Sequence, residues 1–336
     1  MKILVTGGLG YIGSHTVVEL QSAGFNVVII DNLSNSKIEV LDKITQITGI
    51  KPGYFNFDLS NKTACEEFFS NNNNIDGIIH FAAYKAVGES VNKPLMYYRN
   101  NLESLMNIMD NMNIHNIANL VFSSSCTVYG QPDVLPVTEQ APRKQAESPY
   151  GNTKKMAEDI IQDTVYSSDL KAIALRYFNP VGAHPTALIG ELPLGVPNNL
   201  MPFITQTAAG IREQLSVFGE DYDTADGTAI RDYIHVVDLA KAHIIAVKRL
   251  VEKNNKLDYE IFNIGTGNGY SVLEVVKSFE RVTNTKLNYK IVGRREGDIE
   301  KVWANTDFAN NELGWKAEKD IDEMTASAWK FQLALK

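Results

Sequence analysis

Apolar positions along this chain come in two rhythms that alternate. "KILVTG" (2–7) is a short unbroken apolar run that reads as a buried strand, and "YIGSHTVVELQSAG" (11–24) carries apolar residues at helical spacing up to a stop at Gly24. "NVVIID" (26–31) reads as the next strand, and residues 36–48 as the next helix. Further apolar runs follow in "YFNFDL" (54–59), "IDGIIHFAA" (75–83), "NLVFSSS" (119–125) and "KAIALRYFN" (171–179), with helical patterns between them. Strands that are apolar throughout are buried on both faces, so the alternation predicts a parallel sheet with helices on each side. The expected fold class is α/β, a doubly wound parallel sheet of Rossmann type with a smaller mixed α/β lobe towards the C-terminus.

After residue 180 the pattern loosens into "PVGAHPTALIGELPLGVPNN" (180–199). Order returns in "DLAKAHIIAVKRLVEK" (238–253), an amphipathic helix, in "IFNIG" (261–265), a strand, and in "SVLEVVKSF" (271–279), where Ser271 and Glu274 have capping-box spacing. We therefore divide the chain into residues 1–180, carrying the sheet, and 181–336, mainly a second lobe with some segments returning to the first.

Composition narrows the function. The chain has 336 residues, 44% of them hydrophobic and 21% charged, the mix of an ordinary globular protein. A net charge of -8 argues against a nucleic-acid surface. Cys65 and Cys126 cannot build a disulfide framework, and the six histidines have no metal-ligand spacing. "MKILVTGG" is too short an apolar run for a signal peptide or a membrane span. The expectation is a cytoplasmic enzyme without a metal and without a membrane partner.

Candidate chemistry begins at "VTGGLGYIGSH" (5–15), between the first strand and the first helix. Gly7, Gly10 and Gly13 let the backbone turn sharply and approach a pyrophosphate, whose charge rests on the helix N-terminus. Asp31 ends the second strand, where a carboxylate can bond a ribose 2′-hydroxyl and would repel a 2′-phosphate, so NAD is favoured over NADP. Asp58 and Leu59, after the third strand, are placed to flank the adenine, with a plain turn as the alternative for Asp58.

"SPYGNTKK" (148–155) puts Tyr150 and Lys154 on one helix face. A free tyrosine is a poor base, with a pKa of about 10. Lysine's charge and the positive nicotinamide ring of NAD would favour the phenolate, which could then take a proton from an alcohol. A hydroxyl to orient that alcohol is available at the end of the preceding strand. Ser125 is the choice there, with Ser123 and Ser124 left to packing or to the cofactor.

This combination resembles the extended short-chain dehydrogenase/reductase superfamily. "KAVGES" (85–90), "RYFNPVGAHP" (176–185), "RDYIHV" (231–236) and "RREGDIEKVWA" (294–304) narrow the resemblance to its UDP-glucose 4-epimerase family, over nearly the whole chain. The resemblance implies reversible inversion at C4 of UDP-glucose and UDP-galactose through a 4-keto sugar, with NAD tightly bound. It implies Ser125, Tyr150 and Lys154 as the catalytic group. Tyr11 and Ile12 would lie along the pyrophosphate, and Asp31 and Asn32 at the adenosine ribose. Phe81, Ala82, Ala83, Lys85, Asn100 and Phe178 would border the nicotinamide half. Asn179, Asn199, Arg231, Arg295 and Asp298 would hold the UDP-hexose by its diphosphate side, with Ser216, Val217 and Phe218 against the uracil.

Two arginines from separate segments suit a diphosphate, since guanidinium forks match phosphate oxygens. Their plainer reading is a surface pair with Asp232 or Glu296, and Arg294 competes with Arg295 on sequence alone. The family also implies a homodimer through the helices near 94–113 and 150–167, with Leu102, Leu105, Met106 and Met109 in the seam. It places Val302, four past Asp298, beside the hexose, where a small residue leaves room for N-acetylated sugars. The rival readings are a nucleotide-sugar 4,6-dehydratase and a non-catalytic NAD-sensing regulator. The dehydratase carries an Asp-Glu pair where this chain has Cys126 and Thr127.

Overall fold

The apolar runs of the first half become strands of one sheet. In the computed structural model, which describes every residue except 73, 296, 297 and 336, β1 (Lys2–Thr6), α1 (Tyr11–Ser22), β2 (Asn26–Ile30), α2 (Glu39–Thr48), β3 (Gly53–Phe55), α3 (Lys62–Asn71) and β4 (Gly77–His80) alternate. They are followed by α4 (Val87–Asn92), α5 (Pro94–Ile114), β5 (Asn119–Ser125), α6 (Pro149–Ser167) and β6 (Lys171–Tyr177). "YFNFDL" supplies little of its edge strand, because Asp58 already opens a turn with Ser60 at its end.

The second half contains β7 (Asn179–Val181), α7 (Leu200–Ala208), β8 (Leu215–Phe218), β9 (Ile230–His235), α8 (Val236–Val251) and β10 (Tyr259–Ile264). It closes with β11 (Gly269–Ser271), α9 (Val272–Thr283), β12 (Tyr289–Val292), β13 (Lys301–Val302) and α10 (Ile321–Ala334). The large sheet has seven strands in the order β3-β2-β1-β4-β5-β6-β10, all parallel. The order reverses between β1 and β4, which opens a crevice at the carboxyl ends of these strands.

Successive residues of the strands serve opposite faces. Ile3, Val5, Val27, Ile29, Ile79 and Val121 pack with α1 and α8 residues such as Val17, Leu20, Leu239 and Val247. Leu4, Val28, Ile30, Ile78, Leu120 and Phe122 pack with Phe69, Leu105, Ile108, Met112 and Ile161 from α3, α5 and α6. Thus β10 and α8, although late in the chain, belong to the large layer. The remaining late elements form their own core around Met201, Ile204, Val217, Tyr233, Phe279 and Met324. There β9 pairs with β11, β13 and β7, while β8 pairs with β12. The capping box at Ser271 and Glu274 forms as its spacing predicts.

The seam expected on α5 needs correction. Leu105 and Met109 are buried in the chain's own core and Leu102 packs partly against it, leaving Met106 as the exposed member of the four. Among the described residues, no helix is long and apolar enough to cross a membrane, and no group of His, Cys, Asp and Glu is arranged to hold a metal ion.

Candidate active site

The glycine turn sits at the carboxyl end of β1, on the crevice. Gly7 has a φ of 67°, and a Cβ there would lie 2.9 Å from the Ala82 nitrogen. A Cβ on Gly13 would lie 2.2 Å from the Gly7 carbonyl oxygen. These two glycines are required by the turn itself. Gly10 differs: a Cβ there would meet only the Gly7 oxygen, at 3.2 Å. It is the N-cap of α1, no side chain caps that end, and no acidic residue lies in its first turn. A bare helix N-terminus facing the crevice is suited to a phosphate.

Asp31 is buried and ties the turn to β2. Its Oδ2 accepts from the Leu9 amide at 3.0 Å, and its Oδ1 from the Leu33 amide at 2.9 Å and the Ser36 hydroxyl at 2.7 Å. The Asn32 side-chain amide donates to Asp58 Oδ2 at 3.2 Å, while Asp58 Oδ1 accepts from the Ser60 amide at 2.8 Å and hydroxyl at 2.7 Å. Asp58 therefore makes its turn and reaches Asn32 as well. Leu59 turns its side chain into the core, and its carbonyl accepts from Asn107 at 2.8 Å. Tyr11 donates to the Gly182 carbonyl at 2.7 Å, which joins α1 to the second lobe, and Ile12 packs against the core from the first turn of that helix.

Opposite the turn, Phe81, Ala82 and Ala83 leave β4 half-buried. Thr6 accepts from the Phe81 amide at 3.1 Å and from the Ala82 amide at 3.3 Å, and the next residue, Tyr84, is held by an asparagine not singled out from the sequence. Asn101, rather than Asn100, clamps this loop: its Oδ1 accepts from the Tyr84 amide at 2.8 Å, and its Nδ2 donates to the Tyr84 carbonyl and to the Thr153 hydroxyl, each at 3.0 Å. Asn100 donates to Asn101 at 3.0 Å. Lys85 reaches the second lobe, with its Nζ 3.5 Å from Glu191.

Tyr150 and Lys154 lie one turn apart on α6, whose N-cap Ser148 accepts from the Gly151 amide. Both are buried, at 8% and 5% exposure, so they are not a pair on a solvent-facing helix surface. Lys154 Nζ donates to the Ser123 carbonyl at 2.7 Å and stands 6.0 Å from the Tyr150 ring centre. Burial brings the Lys154 pKa down to about 8, partly offset by the nearby Glu158 carboxylate.

The phenolate expectation joins the charge of Lys154 to that of bound NAD, and the chain alone favours the neutral phenol. Burial raises the Tyr150 pKa, and Tyr177 adds to the rise, while the adjacent Ser125 hydroxyl pulls it down. Desolvation thus outweighs what the chain's own groups supply. Ser125 is itself buried and caps the short turn at Cys126–Tyr129, accepting from the Thr127 amide at 3.2 Å. Ser124 instead donates to Glu158 at 2.6 Å, and Ser123 shares a 2.5 Å contact with the Tyr177 hydroxyl. Neither Tyr177 nor Glu158 was singled out from the sequence, although Glu158 continues the i, i+4 stripe of Tyr150 and Lys154.

The substrate-side expectations scatter more. Arg231, near the start of β9, pairs with Asp298 rather than Asp232, and it also donates to the Ile299 carbonyl at 2.5 Å. Asp232 is fully buried and accepts from Thr266, Gly267 and Ala304. Arg294 is held by Asp221 at 2.8 Å and stacks 4.1 Å over the Tyr222 ring. A Cβ on Gly88 would lie 3.8 Å from Arg295 Nη2, which brings Arg295 beside α4 of the large layer. Glu296, the other suggested partner, lies outside the described residues.

Asn199 caps α7 by position and donates to Glu191 at 2.5 Å, while Asn179 opens β7 beside Tyr233. On β8, Ser216 is half-buried and Phe218 exposed, but Val217 points into the lobe's core, so only its backbone can face a ligand. Val302 is 1% exposed and packs in one cluster with Val128, Tyr129 and Phe178.

Sequence and structure comparisons bear on this geometry. The family model described as GDP-mannose 4,6 dehydratase matches residues 4–328. A UDP-glucose 4-epimerase of Dictyostelium discoideum is 50% identical over 332 residues, covering 98% of this chain and 95% of that protein. The chain belongs to the UDP-glucose 4-epimerase family. A crystal structure of the family from Stenotrophomonas maltophila, with bound NAD and formylated UDP-arabinopyranose, matches at a TM-score of 0.95 and 46% identity, over 100% of this chain and 98% of that one. One from Bifidobacterium longum, in complex with NAD+ and UDP, matches at a TM-score of 0.95 and 45% identity, over 99% and 98%.

Proposed function

We propose that the chain interconverts UDP-glucose and UDP-galactose by inverting C4 through a transient 4-keto sugar, with NAD retained between turnovers. The observation that carries this reading is the buried Tyr150–Lys154 pair beside Ser125, at the carboxyl end of β5 and across the crevice from the glycine turn. The residues fit NAD: Gly10 leaves the α1 N-terminus bare, and Asp31 stands at the end of β2. NAD, when bound, supplies the acceptor for the C4 electron pair and a positive ring that favours the Tyr150 phenolate.

The chain's own part is proton handling and orientation. Tyr150 Oη takes the 4-hydroxyl proton in one direction and returns it in the other. Ser125 Oγ orients that hydroxyl. Lys154, fixed by the Ser123 carbonyl, keeps a positive charge beside the phenol ring. Gly7, Gly10, Tyr11, Ile12, Gly13, Asp31, Asn32, Asp58, the Leu59 backbone, Phe81, Ala82, Ala83, Lys85, Asn100 and Phe178 border the cofactor. Asn179, Asn199, Ser216, the Val217 backbone, Phe218, Arg231, Arg295 and Asp298 border the UDP, and Val302, packed with Val128, Tyr129 and Phe178, lies behind the sugar and sets the room there.

Elimination of water, the dehydratase reaction, needs an added acid and base just after Ser125. Cys126 has its pKa pushed up to about 12 by burial, and Thr127 offers only a hydroxyl, so neither serves. Incubation with UDP-glucose tests the reading. UDP-galactose is the expected product, a dehydrated 4-keto product would favour the dehydratase, and no turnover would favour a regulator. We further propose residues 1–180 with β10 and α8 as the NAD domain and the rest as the UDP-sugar lobe. We also propose a homodimer through exposed positions of α5 and α6 such as Met106 and Met156, which a monomeric mass by light scattering would refute. A cytoplasmic setting suits two free thiols, Cys65 and Cys126.

A further inference from the structure

Glu191 has no part in the proton chemistry, yet it stands where the large layer meets the second lobe. The loop before it is held from three sides. Tyr11 donates to the Gly182 carbonyl at 2.7 Å, Ala183 bridges antiparallel to Gly190, and a Cβ on Gly190 would lie 2.5 Å from the Phe331 ring of α10. Glycine at 190 is thus fixed against α10, and Glu191 is placed by it. Beyond Glu191, the chain runs over the surface with Leu192, Leu194 and Val196 exposed. Asn199 brings it back, donating its Nδ2 to Glu191 Oε1 at 2.5 Å.

The same Oε1 lies 3.5 Å from Lys85 Nζ, which comes from the loop after β4 on the other side of the crevice. The Glu191 side chain is 11% exposed and that of Lys85 46%. Glu191 Oε2 is buried without a hydrogen-bond partner among the described residues. A carboxylate withdrawn from water with half its accepting capacity unused favours any cation brought towards it. Lys85 is the cation at hand, and its exposed stem leaves it free to move closer.

We propose that Glu191 is a positioning residue that draws Lys85 across the crevice and ties it, through Asn199, to the start of α7, a strap between the large layer and the second lobe that slows the release of bound NAD. The proposal rests on the NAD reading above. One carboxylate then links a residue at the cofactor to a residue at the UDP, and the two ligands are held by a shared closure.

The test measures release of NAD from the loaded protein. Glu191→Gln keeps the length and can still accept from Asn199, but it offers Lys85 no charge. NAD release is expected to quicken about tenfold, equivalent to about 1.4 kcal/mol, with an unchanged melting temperature. Glu191→Asp, which keeps the charge, is expected to restore most of the slow release. Lys85→Met should also quicken release, and adding Glu191→Gln to it should change nothing more, because the two side chains act as one unit. Wild-type retention in Glu191→Gln, or additive effects in the double variant, overturns the strap. If Glu191→Gln does not fold, wild-type retention in Lys85→Met overturns it equally. A wild-type chain that neither carries nor takes up NAD overturns the cofactor reading itself, and the strap with it.

Discussion

Replacing Glu158 with Gln should damage both the stability of the chain and the charge of its lysine. Glu158 lies one turn beyond Lys154 on α6, with its side chain 1% exposed against Arg176 at 3%. Its oxygens accept from Arg176 Nε at 2.9 Å, Arg176 Nη2 at 2.6 Å and the Ser124 hydroxyl at 2.6 Å. Removing one partner leaves the other charge buried and uncompensated, at a cost of about 3–5 kcal/mol. In a chain of 336 residues, that lowers Tm by about 4–7 °C.

Lys154 responds separately. Burial lowers its pKa to about 8, against the upward pull of Glu158. Without that carboxylate the value should fall further, by on the order of 1. Lysine is charged below its pKa, so the loss of its charge moves to lower pH, and kcat at pH 7.5 should drop more than at pH 6.5. Thermal unfolding and a kcat profile over pH 6–9 read the two effects apart. A double replacement, Arg176→Met with Glu158→Leu, should recover part of the stability, since an apolar pair of similar volume often substitutes for a buried ion pair, but it should not recover the pH profile. A Glu158→Gln variant that melts within about 2 °C of wild type, with an unmoved profile, would refute the reasoning.

Tyr150→Phe keeps the ring and loses the acid–base oxygen, so NAD retention should persist while turnover falls by about 10²–10⁴-fold; near-normal rates would sink the mechanism. Burial lowers the pKa of His15 and His80 to about 3 and of His235 and His243 to about 4. The unfolded chain binds protons at these sites below about pH 6.5 and the folded chain does not, so stability is full above that pH and should fall as pH drops towards 4. A denaturation midpoint that stays constant between pH 7 and 5 would contradict this. Val302→Tyr should suppress turnover of N-acetylated UDP-hexoses, which we propose the wild type accepts beside UDP-glucose and UDP-galactose. Because Val302 is 1% exposed, the larger ring should also cost about 1–3 kcal/mol. Comparing kcat/KM for the two sugar pairs decides it, and a wild type that ignores N-acetyl sugars rules the idea out.

Period and punctuation made the large sheet readable: short apolar runs such as "KILVT" and "NVVII", bounded by turn residues, fit strands buried on both faces, and glycines at 7 and 13 admit no side chain. The Tyr150–Lys154 stripe was legible for the same reason, since i, i+4 spacing is a property of the chain. What stayed hidden depends on partners far apart in sequence. Nothing local marks Asn101 as the clamp on Tyr84 and Thr153, or Glu191 as the contact of Lys85 and Asn199. The rise of the Tyr150 pKa was invisible too, because the cost of desolvation is set by how deeply α6 is packed. On α5, apolar spacing identified the buried face correctly, but it could not say whether the partner was the same chain or another.

The diphosphate end shows how a chain of net charge -8 can prepare to bind an anion. Arg231 is not a loose surface cation: Asp298, the Ile299 carbonyl and the Ile230 carbonyl already hold its guanidinium in place. On the proposed reading, a diphosphate arriving there would exchange one anionic partner for another, and the arginine would lose little further rotamer freedom on binding. Asp298, displaced from the arginine, is an acceptor-only group suited to a hydroxyl of the incoming nucleotide. Arg294 is placed differently, with Asp221 on its fork and Tyr222 beneath its plane, both from the same lobe. Arg295 points instead towards α4, across the crevice. Of two adjacent arginines that the sequence could not tell apart, one is thus held within its own lobe and the other reaches the opposite layer, and on that ground we propose Arg231 and Arg295 for the diphosphate.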